Sequence, residues 1–331
     1  MLNKVQMAAY DLIQSDARFL YTIVHIYNNA ENIESNYIMM CTPYIGIFTD
    51  GVEQWCKKIG AHAPVFNKAE KEFYTALRQS HKLFEKAYEE YTLLLLGKLR
   101  ESDKYFYDIR SLYEKFFGYY NVGVDYCNGE FCGNTILCAM YMPFKLLGNE
   151  NAGIQLKELM AFTGEISAYI LGMDIYPYSY DDKKVIARYQ DYHFYQNCPI
   201  KLKNDLGFVL FCILCSINYV IEFIDKYFVE EIPQKFKYAY LQYYYLCDFL
   251  EELNAANKTN YYINKSLQNR SLRNCLAHYG LGQFLKEQEI VDEDIMKGLT
   301  NKAFDMDYYI CKNQLYKYLR DLGQQIKNDI F

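Results

Sequence analysis

The stretch LGFVLFCILCSINYVIEFI, residues 206–224, is strongly apolar and sets the fold expected for the last third of the chain. Its clearly polar residues are Ser216, Asn218 and Glu222. A membrane-spanning helix needs about 20 apolar residues with few charges, and a carboxylate such as Glu222 is costly in lipid. The run therefore predicts a buried helix of a helical bundle rather than a membrane span.

Three more helices are predicted after this run. Pro233 suits the first turn of the second helix, and Gly280 and Gly282 suit the end of the third. Four helices of this length suffice for a bundle with its own core. The predicted helices span residues 203–227, 233–256, 261–279 and 307–328, and a connecting stretch covers residues 287–300.

The third predicted helix contains the sequence RNCLAH, residues 273–278. An arginine can hold a phosphate through its planar fork, and a histidine can move a proton near neutral pH. On a helix, Asn274 and His278 face the same side, whereas Arg273 lies about 140° around the axis from His278. The segment thus offers the groups that metal-free cleavage of RNA requires.

Two other pairs place an arginine before a histidine at a comparable spacing. His25 lies seven positions after Arg18, and His193 lies five positions after Arg188. Arg18 precedes an apolar stretch, which predicts a core position, and Arg188 lies in a tyrosine-rich segment. Only Arg273 is followed directly by a polar residue; the alternative for this pair is a structural role at the helix end.

The RNCLAH segment and its helical surroundings, roughly residues 200–331, resemble the HEPN superfamily, whose nucleases carry an Arg and a His separated by four to six residues. The resemblance implies a homodimer in which two motif helices line one cleft. It also implies catalysis without metal or cofactor: His278 acts as general acid or base, Arg273 stabilises the phosphorane, and Asn274 orients His278 or binds the phosphate. The expected products are a 2′,3′-cyclic phosphate and a 5′-OH.

Local charge favours an RNA partner, although the whole chain has a net charge of −6. No Asp or Glu occurs between residues 253 and 286. Within this window we expect Lys265 and Arg270 to contact RNA and Tyr279 to stack on a base. A second basic window covers residues 183–203; either window can also be an ordinary solvated face. The basic residues of the first window are Lys258, Lys265, Arg270, Arg273 and Lys286.

The composition predicts an all-α protein that is not membrane-bound. Apolar residues make up 51% of the 331 residues, and only 6 Pro and 17 Gly interrupt the chain, which favours long helices. The 11 Cys show neither a disulfide nor a zinc framework, which suits a cytoplasmic protein without a metal site. The residues from Met1 to Ala17 carry no pattern typical of a secretion signal.

The chain is predicted to consist of an N-terminal multi-helix region, residues 1–185, packed with a HEPN-like four-helix bundle, residues 186–331. The first region is the expected place for a sensor or a protein-partner surface. Its predicted elements are helices over 3–30 and 70–100, a helix over 103–117 capped by Ser102 and Asp103, a loop or short hairpin over 118–134, and a linker over 174–199.

Three functions are consistent with these patterns. The first is a HEPN endoribonuclease of the defence or toxin type. The second is a non-catalytic HEPN-like module that binds RNA or a protein through the basic window. The third is a helical interaction protein in which the motif is accidental, and it is favoured if Arg273 and His278 are buried and remote from each other.

Overall fold

A computed structural model describes most of the chain and is mostly α-helical, which confirms the predicted all-α class apart from one small sheet. The described residues are 2–29, 33–34, 37–64, 66–117, 121–172, 175–183, 187–193, 200–202, 204–279, 284–292 and 294–331.

The N-terminal region alternates long helices with short connecting elements. The helix predicted over 3–30 is confirmed as α1. The elements up to residue 171 are α1 (Lys4–Asn29), β1 (Ile33–Glu34), α2 (Tyr37–Ile59), α3 (Lys68–Gln79), a 3-10 segment (Ser80–Glu85), α4 (Tyr88–Phe106), a 3-10 turn (Tyr107–Ile109), α5 (Leu112–Phe117), β2 (Asn121–Cys127), β3 (Glu130–Asn134), α6 (Thr135–Tyr141) and α7 (Ala152–Leu171).

The C-terminal region confirms the predicted first, second and fourth helices, whose starts are set by Asn204, Pro233 and Asp307. Its elements are β4 (Ala187–His193), α8 (Asp205–Asn218), a π-helical turn (Tyr219–Ile224), α9 (Asp225–Tyr227), α10 (Pro233–Asn257), α11 (Arg270–Ala277), a 3-10 turn (Glu287–Glu289), α12 (Ile295–Phe304) and α13 (Tyr308–Ile330).

One helical stretch, Asp205–Tyr227, is long and apolar enough to cross a membrane by length and composition, among the residues that the structure describes. However, 94% of its apolar window is buried inside the protein. It packs against α13, β3 and α4, as a core helix does. The prediction of a buried bundle helix is confirmed.

The small sheet has four strands in the order β1-β4-β2-β3. Strands β2 and β3 form an antiparallel hairpin whose turn, Asn128 and Gly129, has two positive φ angles of 53° and 80°. The predicted hairpin is therefore confirmed for residues 121–134, while Gly118 lies outside the described residues. Strand β4 pairs with β2 inside the stretch predicted to be a linker, so that prediction was wrong for residues 187–193.

The helix predicted over 70–100 is broken in the structure. The chain changes to a 3-10 segment at Ser80, where the Ser80 hydroxyl donates to the carbonyl of Leu77 at 2.6 Å and the His81 Nδ1 donates to the carbonyl of Arg78. These side chains form hydrogen bonds to carbonyls at the end of α3, which the backbone N–H groups of a continuing α-helix would otherwise bind. The α-helix therefore ends here. A new helix begins at Tyr88, so Ser102 and Asp103 lie inside α4 instead of capping a helix.

The helix predicted over 261–279 is also shorter than expected, because only Arg270–Ala277 is helical. Tyrosines of α10 bind the backbone of the preceding loop: the Tyr243 hydroxyl donates to the Asn264 carbonyl at 2.6 Å, and the Tyr240 hydroxyl accepts from the Asn269 N–H at 3.0 Å. Backbone groups satisfied in this way do not need a helix. The predicted stop at Gly280 and Gly282 lies outside the described residues.

Helices from both predicted regions pack together. Helix α10 contacts α1, α4 and the 3-10 segment Ser80–Glu85 from the first region, and α8, α11 and α13 from the second. The predicted boundary between residues 185 and 186 lies outside the described residues, and the two-domain division stays a prediction. The packing brings the RNCLAH segment against Ser80–Glu85, where the candidate site forms.

Candidate functional site

Helix α11 positions the three predicted catalytic residues. Asn269 caps its start by accepting from the Leu272 N–H at 3.0 Å, and His278 follows its end as a non-helical residue with φ −131° and ψ 18°. The His278 N–H still donates to the Asn274 carbonyl at 3.0 Å. Asn274 and His278 are exposed, whereas Arg273 is buried.

Arg273 is held between aromatic rings and a carboxylate. Its guanidinium lies 5.0 Å from the ring centre of Tyr244 and 5.4 Å from that of Tyr245, and its Nη2 donates to Glu85 Oε1 at 3.3 Å. Its Nε–H is buried and has no hydrogen-bond partner among the described residues. A buried donor without a partner is unfavourable, so an acceptor placed at this atom would stabilise the site.

His278 contacts an arginine that the sequence did not predict for the site. Arg78 Nη2 lies 2.6 Å from Nδ1 and 3.0 Å from Nε2 of His278, and Arg78 Nη1 binds Asp50 at 2.5 Å. Whichever ring nitrogen is unprotonated can accept from Arg78. The imidazole of the motif is therefore covered on one edge by a guanidinium from α3.

The 3-10 segment adds three more polar residues. Lys82 binds Glu85 at 3.0 Å, which places its charge beside the carboxylate that holds Arg273. His81 Nε2 lies 3.3 Å from the Tyr245 hydroxyl, and its ring packs edge-on to Tyr245. We call Arg78, His81, Lys82, Glu85, Arg273 and His278 the cation cluster. One sequence signal could have pointed to it, since RQSHK, residues 78–82, gathers an arginine, a histidine and a lysine in five residues.

Both histidines of the cation cluster are neutral at pH 7. Partial burial of the His278 ring and the charges of Arg78, Lys82 and Arg273 lower its pKa to about 4, although much of the residue is exposed. Burial lowers the pKa of His81 to about 3, and the nearby charges of Arg78 and Lys82 act in the same direction. Arg273 and His278 thus share one electrostatic environment, although no direct hydrogen bond joins their side chains among the described residues.

Tyr279 does not occupy the position expected for base stacking. It is fully buried, its hydroxyl donates to Asp16, and the Lys237 Nζ lies 4.1 Å from its ring centre. Its φ of 56° turns the chain at the end of α11, so that the ring enters the core while His278 stays outside. The assignment of Tyr279 to RNA binding is therefore wrong for this structure.

The predicted basic window is partly neutralised by carboxylates from other elements. Lys265 lies 2.6 Å from Glu251 and 3.2 Å from Asp248, both on α10. Arg270 is exposed at the first residue of α11. Asn274 makes no side-chain hydrogen bond to the cation cluster among the described residues. Of the predicted site residues, the structure brings together Arg273 and His278, with Asn274 on the adjoining exposed face.

The other two Arg/His pairs lie elsewhere. Arg18 donates to the carbonyls of Tyr176 and Pro177 at 3.2 and 3.1 Å, which is a structural role, but its side chain is 22% exposed and not in the core as predicted. Arg188 is exposed on strand β4, which also contains His193, so this pair is not on a helix.

Comparison with known proteins gave no match among family models, curated proteins or solved structures. Among the described residues, no group of three or more His, Cys, Asp or Glu side chains could hold a metal ion.

Proposed function

We propose that the protein is a metal-independent endoribonuclease of the HEPN type, with Arg273 and His278 at its catalytic centre and Asn274 beside them. The observation that carries the proposal is the position of His278: an exposed imidazole, neutral at pH 7, within the charge field of Arg273, Arg78 and Lys82. A neutral imidazole can take a proton, and the cations can stabilise the negative phosphate.

The proposed reaction uses the 2′-OH of the ribose as nucleophile. His278 takes the 2′-OH proton while the 2′ oxygen forms a bond to phosphorus and the bond from phosphorus to the 5′ oxygen breaks. The 5′ oxygen leaves as a hydroxyl with the proton returned by the imidazolium, and the other product is a 2′,3′-cyclic phosphate. Arg273 stabilises the charge that grows on the non-bridging phosphate oxygens.

Because the proposal follows the HEPN resemblance, it includes a homodimer, a cytoplasmic location and a defence or toxin role. We also propose that the N-terminal region provides a surface that binds a protein partner or senses a trigger. The buried state of the apolar stretch Asp205–Tyr227 agrees with a protein that does not use this helix to enter a membrane.

The test is cleavage of a labelled single-stranded RNA by purified protein in EDTA, with identification of the RNA ends. We expect cleavage that survives EDTA, yields a cyclic phosphate, and falls by a factor of about 10² or more in His278→Ala. The matched control is His62→Ala, because His62 is exposed outside the cation cluster. Cleavage that requires a divalent metal, or equal cleavage by His278→Ala, contradicts the proposal.

The second candidate is a non-catalytic module that binds RNA through the cation cluster. One observation favours it: Arg78 already donates to the His278 ring, and a pKa of about 4 makes that imidazole a weak base. Tight binding of RNA without cleavage under all conditions supports this candidate over the nuclease.

A further inference from the structure

We propose that Arg78 and Lys82 from the N-terminal region join Arg273 to form, within one chain, the binding site for one phosphodiester group of the RNA. This inference rests on the proposed function for the identity of its ligand. It assigns two phosphate-binding residues outside the RNCLAH segment and makes the region before residue 186 part of the substrate site.

The first argument is the geometry of Arg78. One arm of its guanidinium is fixed by Asp50, whose side chain is only 17% exposed, and the other arm is at the edge of His278. A guanidinium held in this way is preorganised, so little side-chain entropy is lost when it binds a ligand. An oxyanion that binds the second arm is placed directly beside the imidazole of the motif.

The second argument is the balance of charge. The cation cluster and Asp50 contain three permanent cations, Arg78, Lys82 and Arg273, and two carboxylates, Asp50 and Glu85. Three cations close together repel each other, and one of the two carboxylates, Glu85, is 41% exposed. A bound phosphodiester with one negative charge would balance the charges of the site.

The third argument is the position of Glu85. Its carboxylate binds Lys82 at 3.0 Å and Arg273 at 3.3 Å, the pair of cations that a phosphate would bridge. The buried Arg273 Nε–H next to this contact has no partner among the described residues. Glu85 thus marks where an anion is held, and its exposure allows it to turn away when a phosphate oxygen arrives.

The test is binding of a labelled 2′-O-methyl RNA, which lacks the nucleophile and is not cleaved, by fluorescence anisotropy at several salt concentrations. We expect Arg78→Gln to weaken binding by a factor of about 10. The slope of log affinity against log salt concentration should also fall by about one, the value of one lost phosphate contact. We expect Glu85→Gln to strengthen binding several-fold, since it removes a competing negative charge. The matched control Arg320→Gln changes an exposed arginine on α13 and should bind as the wild type does.

Two further measurements separate a lost contact from a lost fold. Arg78→Lys keeps the positive charge but lacks the planar guanidinium, so we expect an intermediate affinity. Thermal unfolding of each variant shows whether it is still folded. Inorganic phosphate at the same concentration should compete weakly; competition as strong as that of RNA would assign the site to free phosphate and overturn the RNA assignment.

The inference is overturned if both Arg78→Gln and Arg78→Lys bind RNA with wild-type affinity, or if Glu85→Gln does not change the affinity. It is also overturned if the wild-type protein does not bind the RNA. Binding that depends on Arg78 without cleavage of unmodified RNA leaves this inference standing and removes only the proposed nuclease activity.

Discussion

Two adjacent residues, His278 and Tyr279, end the motif helix in opposite surroundings. His278 is exposed in the cation cluster, where polar groups of α3 and the 3-10 segment surround it. Tyr279 is fully buried in a polar network centred on Asp16, which accepts hydrogen bonds from Tyr279, Lys237, Gln234 and Tyr238. The comparison teaches that a buried hydrogen-bond network can fix the backbone directly beside an exposed histidine.

The largest effect should come from removing one member of the buried network. We expect Lys237→Ala to lower the free energy of unfolding by about 3 to 5 kcal/mol, because it leaves the Asp16 carboxylate buried without its cation. Urea unfolding measures this, with Lys297→Ala as the control, since its ion pair with Asp292 is at the surface and should contribute little to stability. A Lys237→Ala loss no larger than that of the control would show that the network does not hold this end of α11.

A smaller effect should follow from filling the space between α2 and Tyr279. A Cβ added at Gly51 would lie 1.9 Å from the Tyr279 ring, so Gly51→Ala should destabilise the protein by about 1 to 3 kcal/mol. Gly97→Ala is the matched control: Gly97 is also helical, but a Cβ there meets no atom within 4 Å, and the change should be neutral or stabilising. Equal stability of the two variants would mean that the Tyr279 ring can move aside and is not held rigidly by the buried network.

The cation cluster should make stability depend on pH in the mildly acidic range. The pKa values of His81 and His278 are lowered to about 3 and about 4, so between these values and their unfolded value of 6.5 the unfolded chain binds more protons than the folded one. The contribution of the two neutral histidines to the free energy of unfolding is therefore fully present above about pH 6.5. It is lost as the pH falls toward 4 for His278 and toward 3 for His81. For His81 we expect a loss of about 1 to 2 kcal/mol between pH 7 and pH 5.

The measurement is urea unfolding of the wild type and of His81→Gln at both pH values. The variant should lose less stability on acidification than the wild type by the amount assigned to His81. An identical loss in both proteins would mean that His81 titrates normally and is not shielded in the cluster.

The smallest effect concerns the loop that leads into α11. Tyr243→Phe removes the hydroxyl that binds the Asn264 carbonyl and accepts from the Leu267 N–H, so we expect a loss of about 1 kcal/mol. Tyr309→Phe, at an exposed position of α13, is the control and should leave the thermal midpoint unchanged. A Tyr243→Phe midpoint equal to that of Tyr309→Phe would indicate that the loop does not depend on this bond.

The sequence predicted helices α1, α8, α10 and α13 well because their signals are local. The apolar run of α8, Pro233 at the start of α10 and Asp307 before α13 each act within a few residues of themselves. The break at Ser80 is also local, whereas two other missed elements depend on distant partners. Strand β4 exists through its pairing with β2, whose paired residues lie 60 to 72 positions earlier, and the loop before α11 exists through hydroxyls of α10.

The candidate site divides in the same way. Arg273 and His278 were identified from spacing and residue type, and the structure places both in one cluster. The RQSHK segment marks Arg78 and Lys82 as a basic cluster, but its place beside Arg273 and His278 depends on how the 3-10 segment packs in the fold and is not visible in the sequence. Tyr279 was assigned wrongly because a left-handed backbone conformation, which reverses the direction of a side chain, is not visible in residue spacing.

The most direct test of one shared cation cluster is an NMR titration of the His278 imidazole, assigned by comparison with His278→Ala, with and without the 2′-O-methyl RNA. We expect a pKa of about 4 in the free protein and a higher pKa with RNA, since a bound phosphodiester adds a negative charge beside the ring. A pKa near 6.5 in the free protein that RNA leaves unchanged would contradict the convergence of Arg78, Lys82 and Arg273 on this histidine.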